Sequence, residues 1–75
     1  MKIKSYNAPV SENIALIIDE AGLKQKAVAH KAGLSVQTFN DMLNGRRIIK
    51  VADVKAIADA LGVEPNDLYG IKETG

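Results

Sequence analysis

Gln37, Asn40, Asp41 and Asn44 are spaced so that, on a helix turning about 100° per residue with Phe39 facing inward, all four fall on the opposite side. An amide side chain carries a donor and an acceptor together, the combination needed to address a base edge in a DNA major groove. A short, firmly seated helix with such an outer face is suited to that task. Val36 stands at the first turn, near the edge of this face, and Ser35 is placed to cap the helix through its hydroxyl. The rest of the chain offers little competing chemistry. It has no cysteine, one histidine (His30), no Gly-rich phosphate loop and no pair of carboxylates set for acid–base work. An enzyme, a metal site and a bound cofactor are therefore not expected, and no small-molecule substrate is evident.

The elements that must hold this ridge are legible from spacing. Val28, Ala29 and Ala32 share one helical face, and Phe39, Met42 and Leu43 share another, with Gly33 breaking the chain between them. Ala29 falls where the two helices cross, and a larger side chain there would hold them apart. A preceding helix, capped by Ser11 and running over about 12–21, turns Ile14, Ile17, Ile18 and Ala21 inward and stops at Gly22. A fourth helix over 50–61 turns Val51, Val54, Ile57, Ala58 and Leu61 inward, with Asp53 near its positive end and Gly62 closing it. Pro65 suits the first turn of a short fifth helix over 64–69, with Leu68 joining the core. The expected fold is all-α: a compact five-helix domain with the two-helix motif at its centre.

Seventy-five residues, 47% of them hydrophobic, make one small domain without room for a deep cleft, so function must lie on its surface. Segments 1–10, 11–70 and 71–75 read as an N-terminal arm, the domain and a tail. The arm carries only Lys2 and Lys4 as cations, which is thin support for groove contact beside disorder or pairing with a partner chain. The longest apolar run, Ile14 to Ile18, is far short of the roughly 20 residues that span a bilayer, and no signal peptide is visible. A cytoplasmic protein with no membrane partner is expected.

The net charge of +1 hides a strong asymmetry. Residues 24–50 hold six basic side chains against Asp41 alone, whereas residues 51–75 hold two against five acids. A polyanion would meet the central motif first. His30 lies on the exposed side of its helix between Lys26 and Lys31, which favours a surface position over a ligand role.

Val28, Ala29, Ala32, Gly33, Leu34, Phe39 and Met42 stand as they do in helix-turn-helix DNA-binding proteins. With Leu23-Lys24-Gln25 before them, Asn44-Gly45-Arg46 after them and Ile57-Ala58-Asp59-Ala60-Leu61-Gly62-Val63 further on, the chain resembles the Cro and phage-repressor (XRE) family over roughly 12–70. The resemblance implies a lambda-repressor-like domain acting as a sequence-specific regulator of transcription on double-stranded DNA, a repressor by expectation, with a homodimer on a two-fold-related operator. The same fold also serves as an antitoxin in some toxin–antitoxin pairs, which keeps a protein-interaction role as the alternative.

By this resemblance, Val36, Gln37 and Asp41 are the base-reading positions, with Gln37 suited to a bidentate contact with adenine, Val36 to a thymine methyl and Asp41 to a cytosine amino group. Gln25, at the positive end of its helix, and Arg46 with Arg47 resemble two phosphate clamps, and Lys26, Ser35, Asn40 and Asn44 join the expected phosphate contacts. Lys24 stands where the family prefers a capping Ser or Thr. Ile18 and Leu43 replace a family Arg–Glu ion pair, and the paired change predicts contact between them, since one replacement alone would strand a charge. Ile48 and Ile49 either tuck beneath the fourth helix or, with Tyr69 and Ile71, form a dimer surface.

Overall fold

In a computed structural model of the protein, the described residues are 7–70. They form five helices: α1 (Val10–Ala21), α2 (Gln25–Lys31), α3 (Val36–Leu43), α4 (Val51–Leu61) and α5 (Pro65–Tyr69). The fold is all-α, as the spacing predicts. Helix α1 packs on α3 and α5, α2 packs on α3 and α4, and α4 packs on α5. Phe39, Ile14, Met42, Ile57 and Leu68 are fully buried where these contacts meet. Five large apolar side chains from four helices thus share one interior, and their burial is the main force holding α3 in place.

The turn of the central motif has a definite hydrogen-bond basis. Gly33 adopts φ 75°, a conformation that a side chain would strain. Its N–H donates to His30 O and the Leu34 N–H donates to Ala29 O at 2.9 Å, so α2 closes on itself and the chain reverses at once. Ser35 then accepts from the Thr38 N–H at 3.0 Å and starts α3. Ala29 of α2 is fully buried.

Several expectations need correction. Ser11 does not cap α1: the helix begins at Val10, with the Asn13 N–H donating to Pro9 O, and Ser11 is buried inside the first turn. Pro9 sits at φ −85°, near the value its ring imposes on the start of a helix, and Val10 is drawn into the core. Ala21, at the far end of α1, is exposed. Helix α4 starts at Val51, one residue later than expected, and Val51 is 81% exposed. Its helical angle is right for burial, but none of the described residues covers that end of α4. Asp53 closes the start of α4 instead, its Oδ2 accepting from the Lys50 N–H at 3.0 Å. No described helix is long and apolar enough to cross a membrane.

Ile49 is half-buried against the core while Ile48 is 53% exposed. Ile18 and Leu43 are both half-buried and border the same shallow depression between α1 and α3.

Candidate nucleic-acid interface

Helix α3 buries Phe39 and Met42 of its inner face completely, leaves Leu43 half-buried at its end, and keeps its outer face open. Phe39 and Met42 have almost no exposed surface, whereas Val36, Gln37 and Asn44 are exposed and Asn40 and Asp41 half-exposed. The outer residues are linked to one another. Gln37 Nε2 donates to Asp41 Oδ1 at 3.0 Å, and Arg46 Nη1 lies 3.6 Å from the same oxygen. One turn along, Asn44 Nδ2 donates to Asn40 O at 2.8 Å and to Asn40 Oδ1 at 3.2 Å. Each i, i+4 pair lies one turn apart on the ridge, which lowers the freedom its members must lose on meeting a ligand.

Beyond α3, Gly45 at φ 76° closes the helix with the Arg46 N–H donating to Asp41 O at 2.8 Å and the Gly45 N–H reaching Met42 O at 3.4 Å. The Asn44 N–H also donates within the helix, to Asn40 O. These three backbone donors are therefore engaged, and the side chains of Arg46 and Arg47 carry the cationic character of the turn. Both are exposed. The Arg46–Asp41 pair is a surface contact, with the Arg46 side chain 69% exposed, and such pairs hold weakly.

At the other flank, Gln25 opens α2 half-buried and borders the depression shared with Leu43 of α3. Lys24 provides no side-chain cap, so the first N–H groups of α2 have no side-chain partner there, and Lys26 is exposed beside them. Ser35 is exposed but its hydroxyl is engaged twice, accepting from the Thr38 N–H and donating to Thr38 Oγ1 at 2.8 Å. His30 is exposed, and no cluster of metal-ligating side chains occurs among the described residues.

Asn7 is the residue that sequence reading does not find. It lies within the expected arm, yet it is 2% exposed and nearly saturates its amide. Its Nδ2 donates to Met42 O at 2.9 Å and to Arg47 O at 2.8 Å, and its Oδ1 accepts from the Ile49 N–H at 3.0 Å. One side chain therefore satisfies a carbonyl at the end of α3 and fixes the segment bearing Arg46 and Arg47. Its partners are 35 to 42 residues away, and no local pattern marks the position.

A short helix packed under a second, with an open polar ridge between two groups of cations, is the architecture of a helix-turn-helix DNA-binding domain. A helix-turn-helix family model matches residues 14–68, and the chain belongs to this family in its XRE-type form. It is a DNA-binding transcriptional regulator. No curated protein gives a significant match. Among solved structures, the restriction-modification controller protein C.AhdI from Aeromonas hydrophila is similar, with a TM-score of 0.74 at 24% identity, covering 79% of this chain and 89% of that one. At that identity the likeness speaks for the fold.

Proposed function

We propose that the protein is a sequence-specific repressor that places α3 in the major groove of double-stranded DNA. Gln37 and Asp41 meet base edges there and Val36 offers apolar contact, while Gln25, Lys26, Ser35, Asn40, Asn44, Arg46 and Arg47 address the phosphates. The observation that carries this reading is the outer face of α3, open along its length with Phe39 and Met42 locked beneath it. Arg46 and Arg47 at one end, with Lys26 on α2, supply the charge that draws in a polyanion. Occupying a promoter and blocking polymerase is the simplest way for so small a domain to act.

The working form in this reading is a homodimer, because one module of this size rarely gives adequate affinity alone. Val51 and Tyr69, both exposed, line a cleft between α4 and α5, and Ile48 stands exposed just before α4. A second copy covering these side chains supports two recognition helices about one DNA turn, roughly 34 Å, apart. Ile71, expected on the same surface, lies outside the described residues.

The test is selection from random duplexes, followed by salt titration of two variants. Gln37→Ala loses discrimination between the selected site and random DNA, on the order of tenfold for a lost bidentate contact. Arg46→Ala weakens binding to both alike and lowers the salt slope by roughly one. Equal weakening on both duplexes by Gln37→Ala would remove base reading from that position.

A further inference from the structure

We infer that Asp41 is a positioning residue that dictates which way Gln37 faces the DNA, a step that rests on the reading of α3 as the base-reading helix. The two side chains meet at 3.0 Å through Gln37 Nε2 and Asp41 Oδ1. An ionised carboxylate accepts hydrogen bonds and donates none, so it takes the amino end of the Gln37 amide and turns the carbonyl oxygen away from itself. A glutamine without such a neighbour exchanges its two ends at little cost and offers donor or acceptor to whatever it meets. Here the polarity is set in advance.

The base chemistry follows. Gln37 presents Oε1 as an acceptor together with its remaining N–H, which fits the amino-and-N7 edge of adenine and also accepts from the amino group of cytosine. Guanine shows two acceptors, N7 and O6, on that edge; the one remaining Gln37 N–H can meet only one of them, and the other is left facing the Gln37 oxygen. Arg46, the side chain best able to satisfy guanine, stands beyond the end of α3 in an exposed pair 3.6 Å from Asp41 Oδ1. Asp41 thus lowers total affinity by repelling phosphate and in exchange rejects guanine at one position.

The experiment compares wild type, Asp41→Asn and Gln37→Ala by selection from random duplexes and by salt titration on a random duplex. Asp41→Asn keeps the shape of the side chain but lets it donate, so the Gln37 amide is no longer oriented. The expected result has two parts. At the base pair that Gln37→Ala also disturbs, Asp41→Asn admits guanine and loses roughly five- to tenfold of its preference, a good part of what a bidentate contact supplies. On random DNA the same variant binds several-fold more tightly, because the carboxylate that repels phosphate is gone. A merely structural role would not move affinity and selectivity in opposite directions. If Asp41→Asn retains the wild-type preference where Gln37→Ala loses it, the positioning role is overturned while base reading by α3 stands. If wild type itself selects no sequence, the underlying reading of α3 fails instead.

Discussion

Asn7 shows how much a single amide can carry. Its removal leaves Arg47 O and the Ile49 N–H without their partner in a part-buried place and Met42 O with only the Gly45 N–H, and each orphan costs about 1 kcal/mol or more. Asn7→Ala is therefore expected to lower unfolding free energy by about 2 kcal/mol, read by urea denaturation. Asn7→Asp keeps the size but sets a carboxylate against two carbonyl oxygens, and should be at least as harmful. A loss within experimental error in both variants would show that the clasp contributes nothing to the fold. The residue was invisible to sequence reading because hydrogen bonding across some 40 positions leaves no periodic trace. The ridge was visible, because Phe39 and Met42 fix the angle of α3 and every outer residue then follows from 100° steps.

Helix α3 packs on α2, and Ala29 of α2 is fully buried. Ala29→Leu inserts three heavy atoms into a place with no exposed surface, an overpacking that costs about 1–3 kcal/mol and shifts α3 on its support. The expected outcome is a lower Tm with a still larger relative loss of DNA affinity, measured by thermal unfolding and by titration on a selected duplex. Unchanged stability would mean the crossing has slack. At this scale the sequence was informative about the middle of each helix and poor about the ends. Ser11, Ala21 and Val51 were all misplaced, and all lie in first or last turns. Spacing gives the direction in which a side chain points, but a terminal turn is buried only if a neighbour extends that far. For Val51 no described residue does. Glycine was the better guide to boundaries, since a left-handed closing residue is demanded by local sterics alone.

At the scale of the whole molecule, the apolar cleft between α4 and α5 lies on an acidic part of the chain, whereas the cations gather at the central motif. This separation lets two copies meet through one region while another faces DNA. Val51→Glu, at a site 81% exposed, should leave the monomer's stability within about 0.5 kcal/mol, as for surface changes generally. It should also shift sedimentation toward the monomer and weaken binding to a two-half-site duplex far more than to a single half-site. An unchanged sedimentation profile would move the proposed dimer surface elsewhere. The link from Asn7 to the arginine-bearing turn adds a consequence of its own. Because one amide joins a residue ahead of α1 to the close of α3, the seating of the arginine-bearing turn depends on a stretch of chain outside the two helices of the central motif.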